Sequence, residues 1–210
     1  MLVTLTGATS KAGIAIANRL RSAGTTVRGT AHLRPEAASE QASSSTIPVD
    51  YLQPNTLAPA FAGADAAVLV PPLETSLVEA TRNLVVAAER AEVEWVVLIS
   101  HLHAGNSQGG TLLLMHHGAE KIVEASTITS TCLRPNFYMQ NFLNPHRPVS
   151  AARNGLISFI DARDLADVVL TVLTDGGYED KTYSLTGPRA YSISEVLQLF
   201  EGEVCPPVGT

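Results

Sequence analysis

The stretch "LTGATSKAGIAIANRLRSAG", residues 5–24, lies almost at the start of the chain. "MLVTLT" before and into it reads as a short buried strand, and after it Gly13, Ala17 and Leu20 share one helical face. Gly7 then falls in the tight turn between strand and helix. Gly13 falls early in the helix, where a missing side chain permits close helix–sheet contact. Helix N-termini present unpaired N–H groups, so a loop of this build suits a pyrophosphate. The spacing is Gly-x-x-Ser-x-x-Gly, with Ser10 at the place a three-glycine dinucleotide loop gives to glycine. The Ser10 Cβ would narrow the approach, while its hydroxyl is a candidate phosphate ligand. A kinase-type phosphate loop is disfavoured because no Gly-Lys-Ser/Thr occurs. A bare strand–helix turn is the competing reading, weakened by the βαβ pattern that follows.

Strand and helix signals alternate along the rest of the chain. "TTVRGT", "IPVD" ending at Asp50, "AAVLV" stopped by Pro71 and Pro72, "EWVVLIS", "TSTCLRP" and "KTYSLTG" read as strands. Between them, residues 76–91 place Leu77, Leu84, Val85 and Ala88 on one helical face, and 164–173 place Leu165, Val169 and Val172 on another. Shorter or weaker helices are expected over 56–61 and 111–125. A Ser-x-x-Glu capping box at Ser192 and Glu195 opens the last helix. Residues 35–46, small and polar, read as a flexible connection. This alternation predicts an α/β fold with a mostly parallel sheet covered on both faces.

Composition narrows the function classes. The net charge is -6, from 14 basic and 20 acidic residues, and no basic run occurs, which argues against nucleic acid as a partner. No apolar stretch approaches the length of a membrane span, and no signal peptide is evident, so a cytoplasmic location is expected. Cys132 and Cys205 form no disulfide or metal pattern, and Cys132 reads as a small buried hydrophobe.

If the opening loop holds a dinucleotide, the second strand should carry the residue that reads the ribose. An acid there favours NAD, and arginine accommodates a 2′-phosphate. "VRGTAHLR" offers Arg28, His32 and Arg34 and no acid before Glu36, which favours NADPH over NADH, with NAD also admitted. Solvated surface cations are the alternative. Asp50 is a candidate for adenine contact and equally for a turn cap.

The segments "TGATSKAGIAIANRL", "AFAGADAAVLVPP", "NLVVAAERAEVEWVVLIS", "HHGAEKIVEAS", "TCLRPNFYMQNF", "FIDARDLADVVLTVL" and "YSLTGPRAYSISEV" occur in that order. As a set they resemble the NmrA-like family of atypical short-chain dehydrogenase/reductases, particularly its quinone-reductase-like bacterial members. The resemblance covers about residues 1–201. It implies a Rossmann-type, doubly wound NAD(P)-binding domain over 1–202, with 136–160 and 183–202 forming a reduced C-terminal substrate lobe and 203–210 a tail. It matches Gly7, Thr9, Ser10, Lys11, Ala12 and Gly13 to the family's phosphate loop and Arg34 to its cofactor-selecting basic position. Pro71 matches the loop flanking the cofactor, and the segment from Asn136 to Asn141 matches the part near nicotinamide and substrate. Two departures stand out. Less chain than usual separates Gly155 from "FID", and the chain stops at Thr210, where family members continue, so part of the substrate lobe is expected to be missing.

The family implies two activities: NAD(P)H-dependent reduction of a quinone or related small carbonyl, or non-catalytic sensing of the dinucleotide with a regulatory protein as partner. A second copy of the chain is a further candidate partner. Typical short-chain dehydrogenases place Tyr and Lys four apart on a helix, so that both share one face. Here "MHHGAEKIV" puts His116 and Glu120 at that spacing, with Lys121 off the face. His116 titrates near neutrality in a free chain, so His116 and Tyr138 are the candidates for polarising an acceptor oxygen. A surface helix pair is the bland reading of His116 and Glu120. Ser100, ending a strand, is a candidate contact to nicotinamide or substrate. His101, His103, His116 and His117 show no firm metal spacing, and no metal site is expected. One of Asp161 and Asp164 should cap the helix near 164, with Arg163 pairing a carboxylate elsewhere.

Overall fold

A computed structural model describes residues 1–32, 46–143 and 155–204. Seven strands form one sheet: β1 (Leu2–Leu5), β2 (Thr26–His32), β3 (Thr46–Val49), β4 (Ala66–Leu69), β5 (Trp95–Ile99), β6 (Thr129–Pro135) and β7 (Lys181–Leu185). Their order is β3-β2-β1-β4-β5-β6-β7, and every neighbouring pair is parallel. The helices are α1 (Lys11–Ser22), α2 (Ala58–Phe61), α3 (Leu77–Arg90), α4 (Thr111–Glu124), α5 (Ala162–Thr174) and α6 (Ile193–Val204). This is the expected α/β Rossmann-like fold, a parallel sheet flanked by helices on both faces.

Strand geometry sends alternate side chains to opposite faces, and here both faces are apolar. Val3, Leu5, Val68, Val97, Ile99 and Leu133 join Ile16 and Leu20 of α1 and Leu165, Val169 and Val172 of α5 in one core. Ala67, Leu69, Val96, Leu98 and Cys132 join Phe61, Leu84, Val85 and Val123 of α2, α3 and α4 in the other. Central strands therefore carry near-continuous apolar runs, the mark of a sheet buried on both sides.

Local signals close the elements as their chemistry requires. Ser192 and Glu195 form the reciprocal capping box: Glu195 Oε2 accepts the Ser192 N–H at 2.7 Å, and Ser192 Oγ accepts the Glu195 N–H at 3.2 Å. Asp161 caps α5, accepting the Arg163 N–H at 2.8 Å. Arg163 corrects its expected pairing: its guanidinium folds back onto Asp161 itself, at 2.7 Å, rather than onto a distant carboxylate. The two segments assigned to the substrate lobe meet, with backbone bonds joining Ile157 and Tyr191 in both directions. The residues expected to form a flexible connection lie, but for Thr46 in β3, outside the described part, as does most of the expected tail.

Strand order reverses at β1 and β4, so connections leave in opposite directions and open a crevice at the strands' C-terminal ends. The two ends are tied together: the Thr6 N–H donates to Val68 O at 3.0 Å, and the Val70 N–H donates to Thr6 Oγ1 at 2.8 Å.

Leu165, wholly buried between α5 and the sheet, tests this core. Leu165→Ala is expected to cost about 2–5 kcal/mol, read as a shifted urea midpoint; a loss under about 0.5 kcal/mol would remove α5 from the core.

Candidate functional site

The crevice begins at the loop after β1. Gly7 sits in the left-handed region at φ 60°, and a Cβ there would meet Val70 O at 3.0 Å. Gly13 is tighter still: a Cβ would lie 2.1 Å from Gly7 O. Ser10 is the N-cap of α1, and its Oγ accepts the Gly13 N–H at 3.0 Å. That orientation keeps the serine's own O–H available to donate outward. The N–H groups of Lys11 and Ala12, first in the helix, have no backbone acceptor among the described residues. No acidic side chain occupies the first turn, so nothing there repels an anion. Loop, cap and free amides fit a pyrophosphate. The Lys11 ammonium donates to Asn141 Oδ1 at 3.0 Å, joining the loop to the segment beyond β6.

A residue that sequence reasoning passed over supports this loop from beneath. The Gly7 N–H donates to the Tyr51 hydroxyl at 2.9 Å, and that hydroxyl lies 2.9 Å from Thr30 Oγ1 of β2. The Ala8 N–H also turns to β2, donating to Thr30 O at 3.0 Å.

Other expected residues fall around the rim. Asp50 makes a turn cap: its Oδ1 accepts the Leu52 N–H at 2.9 Å and its Oδ2 accepts from Gln53 Nε2 at 3.0 Å. The Arg28 guanidinium is engaged elsewhere, donating to the carbonyls of Ala60 and Ala62 at the end of α2. Arg34 lies outside the described residues. Pro71 is buried just after β4. Asn136 follows β6, its N–H on Leu185 O at 2.9 Å and its Nδ2 donating to Ser158 O at 3.0 Å. Tyr138 bridges to Ile160 and packs against the α1–α5 core; burial pushes its phenol pKa well up, so it donates no proton readily.

The α4 face corrects the surface-pair reading, because His116 and Glu120 are 3% and 2% exposed. Nor does Glu120 serve His116. Its Oε1 accepts from Ser100 Oγ at 2.6 Å and Arg134 Nε at 2.8 Å, and its Oε2 accepts from Arg134 Nη2 at 2.6 Å. Burial alone would raise the Glu120 pKa; the hydrogen bonds from Arg134 and Ser100 and the guanidinium charge bring it down to about 2. Glu120 is therefore an acceptor-only carboxylate, and Ser100, whose O–H donates to it, has only acceptor capacity left. Neither His116 ring nitrogen has a hydrogen-bond partner among the described residues. Burial first, and the His101 ring 5.7 Å away second, push the His116 pKa down to about 4, with Glu120 opposing. His116 is neutral at pH 7. Among the described residues no group of three or more His, Cys, Asp or Glu could hold a metal ion, and no helix is long and apolar enough to cross a membrane.

Arg134 was legible within "TCLRPNF" as a charge in an apolar strand, which demands a buried partner. Tyr51 carried no comparable signal.

The family described as NAD(P)H-binding matches residues 7–176. An NAD(P)H azoreductase of Xenophilus azovorans is 30% identical over 166 residues, 76% of this chain and 58% of that protein. The chain thus spans little more than half of that relative. Quinone oxidoreductase 2 of Escherichia coli K12 is 27% identical over 206 residues, 93% of this chain and 72% of that protein. The crystal structure of the Citrobacter sp. triphenylmethane reductase complexed with NADP(H) matches with a TM-score of 0.79 at 26% identity, covering 97% of this chain and 76% of that one.

If the loop holds the cofactor phosphates, Gly13→Asp is expected to abolish NADPH binding in calorimetry, because the side chain collides with the Gly7 carbonyl and adds negative charge there; unchanged affinity would take the phosphates away from this loop. A histidine with a lowered folded pKa contributes stability above its ordinary value of 6.5 and loses it as pH falls through about 4. Wild-type protein should therefore lose more stability between about pH 7 and pH 5 than His116→Leu, which cannot ionise. Parallel losses in urea titrations would show that His116 titrates as a free imidazole.

Proposed function

This chain belongs to the NAD(P)H-binding family, and on that premise we propose that it is an NAD(P)H-dependent oxidoreductase of the NmrA-like branch, reducing a quinone or related small carbonyl. The observation that carries this reading is the loop of Gly7–Gly13, with a capped helix end and free amides at the point where strand order reverses. Thr9, Ser10, Lys11 and Ala12 would surround the pyrophosphate, with Asp50 toward the adenine, Pro71 and Ser100 along the crevice, and Asn136 near the nicotinamide. Arg34 would read the 2′-phosphate, so NADPH is preferred and NAD is accepted more weakly. The two reductases named above, which act with NAD(P)H or are seen with NADP(H), support a reduced nicotinamide as the donor.

When bound, the reduced dinucleotide supplies a hydride. The acceptor then holds an extra electron pair on oxygen, and this chain's task is to stabilise that oxygen until a proton arrives. Ser100 has no donor to spare, since its O–H already donates to Glu120. Tyr138 packs against the core and holds its proton tightly, which leaves the neutral His116, whose ring N–H is buried and has no partner among the described residues. An acceptor that reaches this N–H would have its oxygen polarised by hydrogen bonding, and water would deliver the proton, completing reduction of a quinone to its hydroquinone. The absence of a Tyr–Lys pair suits an acceptor whose reduced oxygen is only weakly basic.

Calorimetric titration with NADPH and NADH, followed by NADPH oxidation with a soluble benzoquinone, tests this. Tighter NADPH binding and turnover are expected, with His116→Ala lowering kcat about a hundredfold and leaving NADPH affinity intact. Binding with no oxidation would move the chain to the dinucleotide-sensing reading, and an unaltered rate in His116→Ala would remove that residue from the reaction.

A further inference from the structure

We infer that Tyr51 is a positioning residue for the cofactor, holding the phosphate loop in its binding geometry from beneath without touching the ligand. This rests on the assignment of the Gly7–Gly13 loop to the dinucleotide.

Gly7 is the loop's least ordinary residue, with its left-handed backbone and its carbonyl pressed against Gly13. That conformation turns its N–H down, into the protein and away from any phosphate. A buried N–H needs an acceptor, and leaving one unmade costs more than a typical bond contributes. The acceptor is the Tyr51 hydroxyl at 2.9 Å, supplied from 44 residues away in the chain. The phenol is 1% exposed, and it is held at both ends of the residue. Its hydroxyl lies 2.9 Å from Thr30 Oγ1, and its backbone carbonyl accepts from Asn83 Nδ2 of α3 at 2.9 Å.

The consequence is a division of amides. Gly7 and Ala8 direct their N–H groups inward, to Tyr51 and to Thr30 O. Lys11 and Ala12 keep theirs outward. The inward pair fixes where the outward pair points, because Ser10 and Gly13 connect them through a single cap and a single close contact. Removing the Tyr51 hydroxyl leaves the half-buried Gly7 N–H without its acceptor. The turn can relieve this only by rotating that peptide toward solvent, which reorients the Gly7 carbonyl against which Gly13 is packed. The loss should fall on pyrophosphate affinity, while the hydrophobic body of Tyr51 stays in its core beside Phe61 and Leu57.

The test compares NADPH affinity by calorimetry in wild type, Tyr51→Phe, Thr30→Val and Val172→Ala, each at a temperature where it is fully folded. Val172→Ala is a control: it removes wholly buried volume near the far end of α5 and lowers Tm without touching the loop. The expected result is NADPH binding weakened about tenfold in Tyr51→Phe, weakened several-fold in Thr30→Val, and unchanged in Val172→Ala. Hydrogen exchange of the unliganded Tyr51→Phe protein should quicken across residues 7–13 and not across β5. Should Tyr51→Phe not fold, Thr30→Val carries the test alone. Wild-type affinity in Tyr51→Phe, or equal weakening in Val172→Ala, would overturn the inference and leave Tyr51 an ordinary core residue. No binding to folded wild-type protein would instead overturn the assignment of the loop, and the inference with it.

Discussion

Helix α1 approaches the end of β1 so closely that only hydrogen fits as the side chain at Gly13, and most of the site's order depends on that contact. A methyl group would lie 2.1 Å from the Gly7 carbonyl oxygen, well inside van der Waals separation. Because the helix is held so near, its first free amides face the crevice between β1 and β4. Because Gly7 is held in turn by what lies beneath it, the contact cannot slide. The packing of Ile16 and Leu20 against the sheet fixes the helix over its length, so the geometry of one loop is set by a whole face of the core. Rigid placement of this kind is what lets backbone dipoles act on an anion without reorganising when it binds.

At the other end of the crevice the organising group is a buried ion pair. Isolating Glu120 in the interior would be prohibitive, and a buried pair of charges is a poor source of net stability even when well made. The Arg134–Glu120 pair is bidentate, and Ser100 occupies one of the remaining lone pairs. What it achieves is alignment: one carboxylate ties α4 to the end of β5 and to β6, whose mutual register the backbone ladder already sets. His116, one turn earlier on α4, inherits that alignment.

Much of this fold was legible in the chain because its elements are declared locally. Apolar runs broken by glycine or proline marked the strands, and the faces through Leu77, Leu84 and Val85 and through Leu165, Val169 and Val172 are buried as their spacing requires. The capping box at Ser192 and Glu195 needed only three residues of context. The loop from Gly7 to Gly13 was readable for the same reason. What could not be read were closures across the chain. Arg28 looked like a ribose ligand and is a cap for α2, because its neighbours come from residues 60 and 62. His116 and Glu120 have helical pair spacing, but the carboxylate is captured by Arg134 from a different strand. Tyr51 reaches Gly7 only once β3 has been laid beside β2, a pairing that no local pattern specifies.

On the proposed reading, having His116 and Glu120 at the spacing of a Tyr–Lys pair changes more than the identity of the group that polarises the acceptor. In the usual arrangement a cation beside the phenol favours its ionised form and draws negative charge toward it. Here the position of the cation holds a carboxylate, and Arg134 cancels its charge locally, so the surroundings of His116 offer no net positive field. An alkoxide formed from an ordinary ketone would find no electrostatic support and no acid strong enough to quench it. A hydroquinone anion, with its charge spread over a ring, asks for little of either, and on the proposed reading a neutral imidazole N–H would suffice. On the proposed reading, the ion pair that aligns α4 also restricts the acceptors the site can reduce, since the same carboxylate that fixes the geometry occupies the place where a stronger catalyst would carry its charge.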